Sequence, residues 1–119
     1  MCMRRTLLAI VLLVFGLNLS YAQNYPNRAI KLVVPFPPGG LIDNAARLIG
    51  PELSKELGQA VVIENKPGAG GNLAAAEVAK ANPDGYTLLM ASAPLTISPV
   101  LYKSLPYNPA NLEPIAILG

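Results

Sequence analysis

The chain has 119 residues, of which 52% are apolar and 13% are charged, with a formal net charge of +2, no His and one Cys. Metal sites built on imidazole or thiolate, Ser-His-Asp triads and Cys-His pairs need residue types that this composition lacks, so most zinc and nucleophilic chemistry is excluded. The Lys and Arg residues are scattered, which excludes the basic stripe typical of nucleic-acid binding. We therefore predict one modest domain with no metal, no cofactor and no nucleic-acid partner.

The first 22 residues have the pattern of a secretory signal peptide. Arg4 and Arg5 form a positive start, residues 7–19 form an almost unbroken apolar run, and Ser20 and Ala22 put small residues at the cleavage site. A transmembrane anchor is the alternative, but a span needs about 20 apolar residues and this run has 13. We predict cleavage before Gln23. The remaining 97 residues are formally neutral and contain no cysteine, so an exported chain needs an apolar core for its stability.

Strand-like apolar runs alternate with helical periodicity along the rest of the chain. Residues 30–36 read as a strand that ends in Pro-Pro-Gly-Gly. The next segment predicts a helix that stops at Gly58 and breaks or kinks at Gly50-Pro51. Its apolar residues recur at intervals of three and four: Ile42, Ala46, Ile49, Leu53 and Leu57.

The alternation continues to the end of the chain. We predict a second strand at residues 61–64 and a helix over 73–81 that Asn72 caps. A turn at 82–85 leads into a third strand at 86–91, followed by a short helix at 99–104 and an irregular stretch. A fourth strand is predicted at residues 115–118.

Strands separated by helices imply a parallel sheet, because a tight hairpin cannot join a parallel pair. The loops after the carboxyl ends of parallel strands share one edge, where ligands usually bind. These loops are residues 35–40, 65–71 and 92–96, so we expect all three to converge.

The chemistry of these loops favours an anion. Glycines in the first two let the main chain approach a ligand, and each loop leads into a helix N-terminus, whose free N–H groups favour negative charge. The alternative is that the glycines only satisfy turn geometry. A nucleotide is disfavoured, because Leu73 stands where the dinucleotide fingerprint needs its third glycine and no phosphate-binding Gly-Lys-Ser/Thr is present.

Five motifs in a fixed order resemble the Bug (TctC-like) solute-binding proteins of tripartite tricarboxylate transporters. The resemblance covers residues 23–119. The motifs are Tyr25-Pro26, the run VVPFPPGG at 33–40 with Asp43 following, ENKPGAGGN at 64–72, PDGYTL at 83–88 and Leu105-Pro106-Tyr107.

The resemblance implies a periplasmic type II binding protein, in which two α/β lobes close on a small carboxylate. It also implies membrane components of the transporter as partners. The loop after the first strand contacts the ligand carboxylate in this family, mainly through main-chain groups and bridging waters. The ligand-binding residues that it implies here are Pro37, Pro38, Gly39, Gly40, Asp43, Ser92 and Thr96.

Two charged residues near this edge have alternative roles. Asp43 accepts a hydrogen bond from the ligand or complements the positive end of its own helix. Lys66 is the one cation near the predicted edge, although a solvated loop lysine is the favoured interpretation.

Family members run about three times as far, so residues 23–119 are predicted to be the N-terminal part of the first lobe, truncated before the second. A pocket between two lobes cannot close with one of them, so we expect no tight binding by this chain alone. An enzyme on the same scaffold is disfavoured, because the carboxylates Asp43 and Glu64 lack a paired base or nucleophile. A non-functional truncated product, or an interaction-only fragment with an open sheet edge, is the other alternative.

Overall fold

The computed structural model describes residues 25–118 of the chain, so the predicted signal peptide at residues 1–22 lies outside the described part. Short turns of 3₁₀-helix lie at Ala69–Gly71 and Pro109–Asn111. None of the helices found between residues 25 and 118 is long and apolar enough to cross a membrane. In chain order the elements are β1 (Ile30–Val34), α1 (Leu41–Leu57), β2 (Val61–Asn65), α2 (Asn72–Lys80), β3 (Thr87–Leu89) and α3 (Ala93–Leu101).

The three strands form one parallel sheet in the order β2-β1-β3. Ile30 lies opposite Val61 on one side of β1, and Lys31 lies opposite Thr87 on the other. The predicted α/β class and parallel sheet are confirmed. β1 ends at Val34, two residues earlier than predicted, and the next two residues belong to the loop that leads to α1.

The two faces of the sheet are covered by different helices. Leu32 and Val34 of β1 pack with Ala46 of α1 on one face. Lys31 lies on the other face, where its Nζ donates to Glu77 of α2 at 2.9 Å. Successive strand residues point to opposite faces of the sheet, so these two sets of contacts cover β1 on both sides. Val34 is completely buried.

Helix α1 is continuous from Leu41 to Leu57, so of the break or kink predicted at Gly50-Pro51, the break is wrong. Pro51 lacks the N–H that would bond the carbonyl of residue 47, but packing holds this turn in place. Gly50 is buried so closely against β2 that a methyl group on it would lie 3.3 Å from Ile63 Cδ1. Ser54 Oγ donates to the Gly50 carbonyl at 2.9 Å and accepts from Val61 N–H at 2.8 Å, which ties the end of the helix to the start of β2.

The ends of the first two helices differ in how well the sequence predicts them. Gly58 ends α1 in the left-handed conformation, as predicted, with φ of 66°. Asn72 does not cap α2, because Gly71 occupies the cap position and Asn72 is the first residue of the helix. The Asn72 side chain is buried and instead accepts a hydrogen bond from the Tyr107 hydroxyl at 3.2 Å.

The last part of the described chain departs most from the predicted elements. Helix α3 begins at Ala93 rather than near residue 99, because Pro94 suits the first turn of a helix. The predicted fourth strand is absent from the described residues, since 115–118 form no regular element. A strand needs a ladder partner, and this segment is instead open to solvent, with Ile117 99% exposed.

Candidate functional site

The loops after β1 and β3 leave the sheet on the two sides of a topological switch point. The chain passes from β1 outward to β2 and then crosses to β3 on the other side of β1. In open parallel sheets, the crevice outside the carboxyl ends of the strands at such a point is where ligands bind. The candidate site is therefore the edge formed by residues 35–40 and 90–96.

The predicted convergence of the three loops is confirmed by the packing around Gly71. A methyl group on Gly71 would lie 3.1 Å from Pro35 Cβ and 3.5 Å from Leu95 Cδ2. The turn after β2 is thus wedged between the loop after β1 and the start of α3. Gly71 has φ of 94°, so both its conformation and its close contacts favour glycine.

The loop before α1 presents main chain to solvent. Pro37, Pro38, Gly39 and Gly40 are all exposed. Gly39 has φ of 87°, and Gly40 is extended at the cap position, with ψ of 170°. The first N–H groups of any helix have no acceptor within the helix and carry its positive dipole end. This loop can therefore offer main-chain donors to an anion.

Asp43 is turned into the protein, only 1% exposed, although it lies next to this loop. Its Oδ2 accepts from Arg47 Nε and from the Gly39 N–H, both at 2.8 Å. Its Oδ1 accepts from Asn65 Nδ2 at 2.8 Å. These hydrogen bonds, that from Arg47 first, hold the pKa of the Asp43 carboxyl well below its usual range. Asp43 therefore stays ionised and shapes the loop from within.

Asn65 and Arg47 complete this network, and the sequence analysis did not select either of them as a site residue. Asn65 Nδ2 also donates to the Phe36 carbonyl at 3.0 Å, and Arg47 Nη2 donates to Asn65 Oδ1 at 3.3 Å. Two features of the sequence could have pointed to them. Arg47 follows Asp43 by four residues, which is one helical turn. Asn65 is a polar residue in line with Val61 and Ile63 on the face that packs against α1.

The two hydroxyl residues predicted for the site lie at the start of α3. The Ser92 side chain makes no capping bond, and its Oγ is buried without a hydrogen-bond partner in the described part of the chain. A buried hydroxyl without a partner is unfavourable and therefore needs an explanation. Thr96 is exposed, and its Oγ1 donates to the Ala93 carbonyl at 2.7 Å. Leu95, which lies between them, contacts the Gly71 turn.

Lys66 and Glu64 take part in ion pairs on the face of the sheet that α2 covers. Lys66 Nζ bonds Glu77 of α2, so this lysine is not simply solvated as predicted. Lys31 lies 2.9 Å from Glu77 and 3.2 Å from Glu64. The hydrogen bonds from Lys66 and Lys31 lower the pKa of Glu77. Glu64 and Asp43 thus have different cationic partners on opposite faces of the sheet and do not form an acid-base pair.

Solved structures of similar proteins share the fold of part of this chain. A periplasmic binding protein, BugD, is 49% identical over 55% of this chain and 22% of its own, with a TM-score of 0.53. MatC from Rhodopseudomonas palustris, solved with bound malate, is 55% identical over 55% of this chain and 22% of its own, with a TM-score of 0.53. Another R. palustris protein, solved with adipate, is 40% identical over 73% of this chain and 29% of its own, with a TM-score of 0.63.

The family assignment covers most of the chain. The chain spans about a third of the length of the curated relatives it matches. A family model described as the tripartite tricarboxylate transporter family receptor, TctC, matches residues 45–119. The predicted resemblance is thereby confirmed, and the chain belongs to the TctC family of solute-binding proteins, which includes the Bug proteins.

Proposed function

We propose that residues 23–119 are the N-terminal part of the first lobe of a periplasmic solute-binding protein that captures a small carboxylate. The malate and adipate of the two R. palustris structures support this ligand class. The proposed recipients of the solute are the membrane components of a tripartite tricarboxylate transporter, as the family description suggests. Residues 1–22 would direct export and be removed in the process, and a mature chain that begins at Gln23 would support this.

The observation that carries this proposal is the inward orientation of Asp43 beside an exposed helix start. Its two carboxylate oxygens are fully engaged by three donors inside the protein. The negative charge of Asp43 is therefore balanced by Arg47 and does not occupy the N–H groups of Gly40, Leu41 and Ile42. In our proposal those groups, directly or through water, bind the ligand carboxylate.

The remaining predicted site residues are assigned distinct roles in this proposal. Pro37, Pro38 and Gly39 shape the exposed loop, and Asp43 holds it rather than touching the ligand. The unpartnered Ser92 hydroxyl donates to the ligand or its bridging water, which would satisfy a buried group that the described residues leave unpaired. Thr96 contributes its exposed hydroxyl at the same edge.

The proposal can be tested by following main-chain amide signals of the nitrogen-15-labelled chain in an NMR titration with malate and with adipate. We expect weak binding, because one lobe supplies only part of a type II pocket. The shift changes should concentrate at residues 39–42 and at Ser92. Dimethyl malate, which lacks the ionised carboxylates, is the matched control and should cause little change.

A pair of substitutions at Leu41 isolates one main-chain donor. Leu41 is 84% exposed at the first helical position, where proline is well tolerated. Gly40 is extended with ψ of 170°, as a residue before proline should be. Leu41→Pro therefore removes an N–H with little cost to the fold, whereas Leu41→Ala keeps it. We expect Leu41→Pro to weaken carboxylate binding about tenfold, because a hydrogen bond to a charged group is lost.

Two results would contradict the proposal. One is a set of shift changes centred away from the carboxyl edge of the sheet. The other is equal carboxylate affinity in Leu41→Pro and Leu41→Ala chains that are both folded.

A further inference from the structure

Asn65 joins two parts of the chain that follow β1. One hydrogen of its side-chain amide is directed to the Phe36 carbonyl at 3.0 Å and the other to Asp43 Oδ1 at 2.8 Å. Its oxygen accepts from Arg47 Nη2 at 3.3 Å. Every polar atom of this half-buried side chain thus has a partner, and two of the partners lie within or beside the loop before α1.

These bonds fix the loop near both of its ends. The last ladder bond between β1 and the chain after β2 runs from Lys66 N–H to the Val34 carbonyl at 2.8 Å. Beyond it, Phe36 is tied to Asn65, and Gly39 N–H is tied to Asp43 Oδ2 at 2.8 Å. Since Asp43 is itself bonded to Asn65, both ties lead to the same side chain.

We propose that Asn65 is a positioning residue, which sets the direction of the Gly39 and Gly40 amides by holding Phe36 and Asp43 at once. Its effect on carboxylate binding rests on the proposed function. Its effect on the geometry of the loop does not, because that depends only on bonds within the chain.

The role requires hydrogen-bond donors at position 65. Asn65→Ala removes the bonds to Phe36 and to Asp43, so the acceptor of the Gly39 N–H is held by Arg47 alone. Asn65→Asp replaces the donating amide with a carboxylate that faces the carboxylate of Asp43. Asp43→Asn combined with Asn65→Asp restores one donor-acceptor pair in the reverse direction, with Arg47 within reach of the new carboxylate. A positioning role therefore predicts partial rescue in the double variant.

Ser54→Ala provides the matched control. Ser54 also uses a side chain to join β2 to another part of the chain, but it does so at the opposite end of the strand, between the Gly50 carbonyl and Val61 N–H. Its loss should lower Tm by an amount comparable with the loss of Asn65. It should leave residues 36–43 unaffected.

The experiment measures amide hydrogen exchange at Gly39 and Gly40 in the 119-residue chain, together with the malate and adipate titrations. In Asn65→Ala and Asn65→Asp we expect Gly39 to exchange about tenfold faster or more, with a matching loss of carboxylate affinity. The double variant should recover part of both. Ser54→Ala should change neither, even where its Tm falls as far.

The outcomes separate this inference from the proposed function. Faster Gly39 exchange in the Asn65 variants, in a chain that shows no carboxylate response at all, would support the positioning of the loop and contradict the proposed ligand. Unchanged Gly39 exchange in a folded Asn65→Ala chain would overturn the positioning role, as would equal acceleration in Ser54→Ala.

Discussion

At the amino ends of the strands, the chain is held by side chains that lie largely in solvent. Tyr25 donates to the Gly85 carbonyl at 2.8 Å and meets the Tyr86 ring edge to face at 5.0 Å. The Arg28 guanidinium lies 4.2 Å from the centre of the Tyr86 ring and pairs with Asp84 at 2.8 Å. The Arg28 side chain is 62% exposed, so water and salt screen this ion pair.

At the carboxyl ends, the polar contacts centre on a carboxylate inside the protein, although the side chain of its partner Arg47 is 52% exposed. Asp43 is 1% exposed and has three donors, and half-buried Asn65 is bonded on both its nitrogen and its oxygen. Removing one partner from such a network leaves a buried polar group unsatisfied, which costs more than the loss of an exposed pair. The edge with the candidate site is therefore the less tolerant of substitution of the two.

The largest expected difference between the two edges concerns glycines with positive φ. Gly71→Ala would place a methyl group 3.1 Å from Cβ of the buried Pro35 at φ of 94°, so one of the two loops would have to shift by a few tenths of an ångström. Gly85→Ala, at φ of 81°, would meet only the end of the Tyr25 side chain, which can swing away. We expect Gly71→Ala to cost about 3–4 kcal/mol and Gly85→Ala about 1–2 kcal/mol in the free energy of unfolding.

Thermal unfolding of both variants checks this prediction, and the expected gap in Tm is about 10 °C. Equal losses of Tm would mean that the contact between the added methyl group and Pro35 costs nothing beyond the cost of holding alanine at positive φ. The packing of the three loops around Gly71 would then be looser than the structure shows.

A smaller effect is expected for Asp43→Asn, and it should depend on pH. The pKa of Asp43 is lowered in the folded chain, so the unfolded state binds a proton first as the pH falls. The contribution of Asp43 to stability is therefore complete above about pH 4, the usual pKa of aspartate, and is lost as the pH falls through the lower folded value. We expect Tm of the variant to lie several degrees below that of the wild type at pH 7, with a difference that shrinks toward pH 2.

Glu77→Gln is the control for this titration, because the pKa of Glu77 is also lowered but its side chain is 21% exposed, whereas that of Asp43 is 1% exposed. It should show a weaker pH dependence than Asp43→Asn. A Tm difference between wild type and Asp43→Asn that stays constant from pH 7 to pH 2 would contradict the lowered pKa of Asp43.

The smallest effect is expected at the amino edge, for Arg28→Ala. The loss of an exposed ion pair and a cation–π contact should cost about 1 kcal/mol or less in the free energy of unfolding. Gly39 amide exchange should remain unchanged, as in the control Lys103→Ala. A loss as large as that of Gly71→Ala would remove the proposed difference between the edges.

The sequence predicts the elements whose causes are local. The β-branched run of β1, the apolar spacing of α1 and the left-handed end at Gly58 all follow from neighbouring residues. The parallel sheet and the meeting of the three loops also follow, because a strand-helix-strand order leaves few alternatives.

What the sequence leaves open depends on distant contacts. The penalty of Pro51 is a local property, but the packing of Gly50 against Ile63 that maintains α1 is not. The bond between Asp43 and Asn65 joins residues 22 positions apart, and no local pattern indicates it. The sequence therefore leaves two alternative roles for Asp43, a hydrogen bond to the ligand or a charge that complements its own helix, and does not decide between them.

The donors at the start of α1 belong to the main chain, so the identity of an exposed side chain there does not alter them unless it is proline. Exposed position 41 is thus free to vary among related sequences, except to proline, without altering the donors that we assign to the carboxylate. Positions 43, 47 and 65 are not independent of one another, because each supplies the partner of another. A change at one of them should be tolerated mainly alongside a complementary change at a second, so covariation should mark this edge more clearly than the identity of its exposed residues.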